Sequence, residues 1–442
     1  MRVSLLLLVA VPLSAQTVRY QISVADPASH LFHVDAAFPT GGADTLRLSL
    51  PAWSPGNYEI QNYARYVRHF AAHDAAGHAL FWDRADKDTW RVVTGRSATV
   101  TVGFDYLADT IDLSIARLRE DFGQFLGTNL FLFEAGHLDR PAEVRFALPA
   151  GWRVATALTA AGGGVYTAPD YDQLADAETF VGHFSLDSLQ AGGHWIRIAL
   201  WPVTDYTPSV AAALRASIAK VAPVQDQLMG GAPYDVYTVF FTVIHEPINF
   251  GGGLEHAASQ YDIMPAGPDF ADANGVLGSF INPLLAHEFF HLWNVKRIRP
   301  AGMWPYDYHA EQYTPLLWWS EGVTDYYADL SNWRAGIWSD SQFVDNVREN
   351  MRQVESAPEP WSEEDGSLAT WINEVYVNSS QLYYPKGSLT GLLLDISIRD
   401  ATNNAHSLDD VMRALYARDY KAGKGFTTGD LLALLKEVGM PD

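Results

Sequence analysis

The sequence predicts an α+β chain of two domains, an N-terminal all-β, sandwich-like domain followed by a mainly α-helical domain with a small β-sheet. The chain has 442 residues, which is too long for one ordinary hydrophobic core. Apolar and polar residues alternate through much of residues 16–205, a pattern typical of strands that bury one face. Longer segments with helix caps dominate after residue 206. We therefore place the predicted domains at residues 16–205 and 206–442.

The first 15 residues, MRVSLLLLVAVPLSA, are predicted to be a secretory signal peptide. They combine one basic residue, an apolar run and a small residue at Ala15, so we expect cleavage before Gln16 and a secreted or periplasmic protein. A first buried strand is the alternative. The run is too short to cross a bilayer, and no other segment is apolar enough, so no membrane anchor is expected.

Residues 16–205 contain many short stretches in which every second residue is apolar. Such strands at short spacing predict two packed sheets. A Pro-Gly turn in PAWSPGNY, residues 51–58, interrupts the pattern. We find no catalytic chemistry here and predict a structural or substrate-guiding domain. The apolar positions of four such strands are Val18, Tyr20 and Ile22; Leu46, Leu48 and Leu50; Val100, Val102, Phe104 and Tyr106; and Ile196, Ile198 and Leu200.

The composition limits the classes of function. A net charge of −22, from 30 basic and 52 acidic residues, argues against binding to nucleic acid. The sequence contains no cysteine, so it has neither disulfides nor a thiolate zinc site. Any metal ion must therefore be held by histidines and carboxylates.

The second half alternates long helical patterns with one β-branched, aromatic strand at residues 234–245. That strand leads to Gly251, Gly252 and Gly253, which let other groups approach the backbone closely. Helices are predicted from Pro208 to about Met229, from Asn282 to Arg299, from Leu316 to about Trp333, from Pro385 onward, and behind the caps Ser407 and Thr428.

The helix predicted at residues 282–299 carries the H-E-x-x-H pattern of zinc metallopeptidases. His287 and His291 are four residues apart, so a helix places both imidazoles on one face, where they can hold one metal ion. Glu288 lies beside them and can take a proton from water that the metal activates. Basic residues, among them Lys296, close the predicted helix at its C-terminal end.

A catalytic zinc ion needs a third protein ligand, and two glutamates compete for this role. Residues 292–310, 19 in number, separate His291 from Glu311, which matches a thermolysin-like count; 29 residues, 292–320, separate it from Glu321. Glu311 lies in a predicted loop, whereas Glu321 lies on a predicted helix that can hold it rigidly. Asp325, one turn later, can bind a ligand histidine and fix its tautomer. We therefore predict one Zn²⁺ per chain on His287, His291 and Glu321.

The joint pattern resembles the glycyl aminopeptidase family of gluzincin zinc metallopeptidases. The stretches that carry the resemblance are His287-Glu288-x-x-His291 with Trp318-x-x-Glu321-Gly322, the segment Gly251 to His256, HEFFHLWNVKRIRP at residues 287–300, and PAWSPGNY at residues 51–58. The resemblance touches both domains and implies a thermolysin-like catalytic domain. The family commonly continues into a C-terminal PDZ-like domain, whereas this sequence stops at Asp442, so either the protein lacks that domain or the sequence is a fragment.

The resemblance implies further roles. Tyr384 stands before Lys386-Gly387 as in the Tyr-x-Lys-Gly motif of related aminopeptidases, whose hydroxyl stabilises the tetrahedral intermediate; Tyr383 is its rival. Glu255 matches the glutamate that receives the α-amine of the substrate. Gly252 and Gly253 would let the substrate backbone lie along an edge strand.

These expectations together describe an exported zinc aminopeptidase. It would act on peptides with a free N-terminus, removing N-terminal residues that the resemblance expects to be small, Gly or Ala. The alternatives are a gluzincin endopeptidase and a catalytically silent peptide-binding protein on the same scaffold.

Overall fold

A computed structural model describes residues 16–440 except 269–271, 273–274, 277–279, 358–360 and 373–382. The first part of the chain consists mainly of strands and the second mainly of helices with one sheet, so the predicted α+β architecture of two parts is confirmed. The predicted signal peptide, residues 1–15, lies outside the described residues.

The N-terminal part is built from short strands and two short helices. The strands are β1 (Val18–Ser23), β2 (Leu31–Pro39), β3 (Thr45–Ser49), β4 (Val67–Asp74), β5 (Trp82–Arg84), β6 (Thr89–Val93), β7 (Thr99–Leu107), β8 (Arg117–Leu118), β9 (Phe122–Leu126), β10 (Phe133–Glu134), β11 (Ala142–Ala147), β12 (Arg153–Thr156), β13 (Thr159–Gly162), β14 (Val165–Ala168) and β15 (Glu178–Gly182). The helices are α1 (Gly127–Leu130) and α2 (Tyr171–Ala175).

These strands form three sheets. The seven-stranded sheet has the order β13-β14-β11-β1-β2-β7-β4, and two four-stranded sheets have the orders β10-β3-β6-β5 and β12-β15-β9-β8. Alternate residues of β1, β2 and β7 are buried in a shared core, as the period-two pattern predicts.

A fourth sheet crosses the predicted domain boundary. It consists of β16 (Ser185–Ala191), β17 (His194–Trp201), β18 (Val236–Ile244), β19 (Gly252–Glu255) and β20 (Ser259–Pro265), in the order β16-β17-β18-β20-β19. A boundary at residue 205 would divide this sheet between β17 and β18, which pair in parallel. We therefore propose that the second domain begins near residue 184.

Helices make up most of the rest of the second part, and the first two of them contact this sheet. They are α3 (Pro208–Met229), α4 (Ile281–Phe290), α5 (Val323–Arg334), α6 (Asp340–Ser356), α7 (Glu363–Ala369), α8 (Pro385–Ala401), α9 (Leu408–Arg418) and α10 (Thr428–Val438). Thr207 caps α3 as predicted, but Thr427, not Thr428, caps α10. Among the described residues, none of these helices is long and apolar enough to cross a membrane.

The helix that carries both candidate zinc-binding histidines is shorter than predicted. It ends at Phe290, and the amide of Lys296 donates to the carbonyl of His291, five residues back, so the chain leaves the regular α-helical pattern. Contrary to the prediction, Lys296 therefore does not lie at an exposed C-terminal end of this helix. Its ammonium is buried and lies 2.6 Å from Asp176 of the N-terminal part, because a buried cation needs a charged partner.

Candidate metal centre

Three buried side chains converge in the second part of the chain. His287 and His291 lie one turn apart at the end of α4, with their Nε2 atoms 2.8 Å apart. The Oε2 atom of Glu321 lies 3.5 Å from the first nitrogen and 3.3 Å from the second. Glu311, the rival in the residue count, is exposed in a loop. The structure thus places Glu321, not Glu311, beside the histidines.

The outer nitrogens of both rings are already engaged. Nδ1 of His287 lies 2.7 Å from Oδ1 of Asp325, and Nδ1 of His291 lies 2.6 Å from the carbonyl oxygen of Asn294. Both partners are acceptors, so each Nδ1 carries a proton and each Nε2 faces the same point, where it can offer a lone pair to a metal ion. Two such nitrogens and a carboxylate oxygen directed at one point form a ligand set for a cation. Tetrahedral zinc with bonds of ~2.0–2.1 Å spaces its ligands about 3.3 Å apart, close to both distances from the carboxylate oxygen and longer than the 2.8 Å between the two nitrogens. Two imidazoles and a carboxylate are a donor set that suits zinc.

Replacing Asp325 with asparagine tests the contact behind His287. The carboxylate holds the ring in the tautomer that frees Nε2, and an amide can present its NH₂ group to the ring instead. We expect zinc affinity to fall by about 10-fold, measured by competition with a chromogenic chelator. Asp329→Asn is the control, because Asp329 lies on α5 one turn later and accepts its hydrogen bond from Asn346. Unchanged affinity in Asp325→Asn would contradict this role.

A π-helical turn, Trp318–Gly322, carries Glu321 into α5. Such turns are frequent at functional sites. Burial opposes ionisation of Glu321, but His291 and His287 outweigh it and hold the pKa of that carboxyl well below its usual range. Glu321 therefore stays an anion at neutral pH, the form in which a carboxylate can bind a metal ion.

Glu288 is buried next to the same point. A Cβ at Gly253 of β19 would collide with its carboxylate, so the glycine admits Glu288 rather than leaving an open surface. Its Oε2 atom has no hydrogen-bond partner among the described residues. Burial, reinforced by the neighbouring Asp262, Glu255 and Glu321, raises the pKa of Glu288.

Glu255 ends β19, the edge strand of the five-stranded sheet, and is 3% exposed. Its Oε1 atom has no hydrogen-bond partner among the described residues. One ligand atom each of Glu255, Glu288 and His291 lies within 4.8 Å of the others. These three do not form a second metal site, because His291 uses one nitrogen on Asn294 and points the other at the first group. Burial raises the pKa of Glu255.

The structure bears differently on the predictions for Gly252 and Tyr384. A Cβ at Gly252 would approach only Leu113, at 3.7 Å, so the described neighbours do not require glycine there. Tyr384, at the start of α8, has its ring centroid 6.0 Å from that of His287. Tyr383 is buried, and its hydroxyl is hydrogen-bonded to Thr370. The structure therefore places Tyr384, not its rival, beside the histidine.

Two glycines bring Tyr384 to this position. A Cβ at Gly387 of α8 would lie 2.5 Å from the carbonyl oxygen of Trp318 and 3.0 Å from Cα of Gly322. The start of α8 therefore packs backbone against backbone on the turn that carries Glu321. Burial and the Glu321 carboxylate raise the pKa of Tyr384 well above its usual value, so its hydroxyl remains a proton donor.

The loop at residues 51–58 of the N-terminal part reaches this site, although the sequence analysis assigned it no chemistry. The hydroxyl of Tyr58 donates a hydrogen bond of 2.5 Å to Oε1 of Glu321. A Cβ at Gly56 would lie 2.7 Å from Oε1 of Glu255, so the backbone of Gly56 covers that carboxylate. The Pro-Gly turn indicated a special conformation, but no local pattern indicated which residues it contacts. The expectation that this domain lacks site residues is corrected.

A cavity of about 1020 Å³ lies between the two parts of the chain, next to the site but outside the zinc-ligand group. Asp176 and Lys296 line it, and Asp176 also accepts a hydrogen bond from the amide of Ala257, two residues after Glu255.

Sequence and structure comparisons bear on this site. Residues 19–183 match the model of the Peptidase M61 N-terminal domain, and residues 281–390 match that of the M61 glycyl aminopeptidase. No curated protein sequence matches the chain.

Solved structures match nearly the whole chain. The crystal structure of an aminopeptidase N family protein from Idiomarina loihiensis has a TM-score of 0.89 and 26% identity, covering 96% of this chain and 74% of that chain. An M1 zinc metallopeptidase from Deinococcus radiodurans has a TM-score of 0.57 and 15% identity, covering 96% and 90%. A mutant of the latter protein, solved with a Tyr-Ser-Ala substrate, has a TM-score of 0.56 and 17% identity over the same shares. At these identities, the Deinococcus structures support the fold alone.

Proposed function

Because the chain belongs to the M61 glycyl aminopeptidase family, we propose that it is a zinc aminopeptidase that hydrolyses N-terminal residues from peptides. One observation carries the direction of cleavage. The Glu255 carboxylate is buried beside the zinc-ligand group with one oxygen unpartnered among the described residues. A buried, unpaired carboxylate is costly unless a ligand supplies the missing charge, and the α-ammonium of a peptide is such a ligand.

The neighbouring ammonium of Lys296 does not neutralise Glu255. Among the described residues, Lys296 forms no ion pair with Glu255 within 4.0 Å, because its ammonium lies 2.6 Å from Asp176. An ammonium bound by Glu255 fixes how far the substrate extends past the metal centre, so the enzyme counts one residue from the chain end.

The proposed chemistry divides among the residues of this chain. His287, His291 and Glu321 would hold zinc, which supplies Lewis-acid polarisation of the scissile carbonyl and a lower pKa for water. Glu288 takes the proton of the attacking water and returns it to the leaving amine. Tyr384 donates a hydrogen bond to the oxygen on which negative charge develops. The peptide backbone lies along the free edge of β19 as an added strand.

We extend the proposal to small N-terminal residues, Gly or Ala, on the activity for which the matched family is described. We also propose export from the cytoplasm, on the signal-like sequence of residues 1–15.

Peptides with free and acetylated N-termini test the proposal on wild type and Glu255→Ala. Wild type is expected to cleave alanyl and glycyl p-nitroanilides, to lose this activity with a chelator, and to spare the N-acetylated forms. In Glu255→Ala, kcat/KM for free-amine substrates is expected to fall about 100-fold, because one partner of a buried charge pair is lost at ~3 kcal/mol. Equal cleavage of acetylated peptides by wild type would favour an endopeptidase. Purified protein without stoichiometric zinc would favour a silent binding protein.

A further inference from the structure

Tyr58 belongs to the N-terminal part of the chain, yet its hydroxyl touches a candidate zinc ligand. The hydrogen bond to Oε1 of Glu321 is 2.5 Å long and joins residues 263 positions apart. Tyr58 is only 8% exposed, so water does not compete effectively for either partner.

The two oxygens of Glu321 have different partners. Oε2 faces His287 and His291, at 3.5 and 3.3 Å, whereas Oε1 faces Tyr58. A hydrogen bond to one oxygen restricts the rotation of the carboxylate, and it occupies one of the two lone pairs through which that oxygen could otherwise bind a metal.

We propose that Tyr58 is a positioning residue for Glu321, which it holds with Oε2 directed at the two histidines. This role rests on the proposed function, since it requires a metal at that group. Residues of both domains then contribute to the metal centre.

The loop around Tyr58 is anchored firmly enough for such a role. The indole Nε1 of Trp53 donates to the carbonyl of Asp307 at 2.7 Å, and the amide of Ala52 donates to the carbonyl of Tyr308 at 2.6 Å. The Tyr58 ring also packs edge-on against Trp371, with centroids 6.1 Å apart. Contacts with the catalytic half therefore hold the phenol from several directions.

Tyr58→Phe removes the hydroxyl and keeps the ring. Tyr63→Phe is the matched control, because Tyr63 is a buried tyrosine of the adjoining segment whose hydroxyl bonds to Ser54 at 2.7 Å, away from the metal group. Zinc dissociation constants of both variants and wild type are measured on the full chain by chelator competition. Melting temperatures of the metal-free proteins and the visible spectra of their Co²⁺ forms are recorded alongside.

We expect Tyr58→Phe to bind zinc about 10- to 100-fold more weakly than wild type, with a metal-free melting temperature like that of Tyr63→Phe. Its Co²⁺ spectrum should change in intensity, because the freed Oε1 alters the coordination. Tyr63→Phe should match wild type in zinc affinity and in its Co²⁺ spectrum. Zinc affinity and Co²⁺ spectrum unchanged in Tyr58→Phe, or equal losses in both variants, would overturn the role of Tyr58. A wild-type chain that binds no zinc would instead overturn the metal centre itself.

Discussion

Glu288→Gln is expected to lower kcat by about 10²- to 10⁴-fold while zinc remains bound. The amide has nearly the shape of the carboxylate, so it fits the space that Gly253 leaves, but it cannot accept the proton of the attacking water. None of the four ring nitrogens of His287 and His291 is hydrogen-bonded to Glu288 in the described structure, so the substitution leaves the ligand group undisturbed. Steady-state kinetics on alanyl p-nitroanilide and metal analysis of the same sample measure the two quantities.

Glu311→Gln serves as the control for this substitution, because Glu311 is an exposed glutamate of the same domain. It should keep wild-type kcat. A fully active Glu288→Gln protein would exclude Glu288 as the general base. Loss of zinc together with activity would show that Glu288 acts through the metal group instead.

Glu321→Ala is expected to weaken zinc binding by about 100- to 1000-fold and to abolish activity without added zinc. Zinc affinities of ~10–16 kcal/mol shared among four ligands assign about 2.5–4 kcal/mol to each. The substitution also leaves the Tyr58 hydroxyl without its acceptor. Chelator competition and activity at several zinc concentrations are the measurements.

Glu311→Ala separates the two candidates that residue counting left in competition. Glu311 is exposed and lies outside the group of ligand atoms, so its variant should bind zinc as wild type does. The opposite pattern, tight binding in Glu321→Ala and weak binding in Glu311→Ala, would make Glu311 the third ligand.

Local spacing accounts for what the sequence could predict of this site. Positions four residues apart on a helix share a face, and this rule brings together His287 and His291, and sets Asp325 one turn beyond Glu321. Helix caps likewise predict the start of α3 at Pro208. The cap of α6, Ser339 with Gln342, is an equally local signal in the sequence.

Contacts between distant segments account for the rest. No periodicity links Tyr58 to Glu321, because their proximity depends on how two domains dock. Strands β16 and β17 show the same alternation whichever sheet they join, so alternation alone does not decide the domain to which they belong. Gly253 was predicted to let a substrate approach, and no local pattern indicated that the Glu288 carboxylate also needs its missing side chain.

The contact between Gly322 and Gly387 has a consequence for how this enzyme can change. Since main chain meets main chain there, the separation of the backbone segments that carry Glu321 and Tyr384 does not depend on the rotamers of the side chains around them. Mutational drift in the surrounding core can alter stability without altering this separation. Even one added methyl group at either glycine would push the two segments apart. New substrate ranges are therefore more accessible through the loops around Glu255 than through these two positions, which remain closed to variation in size.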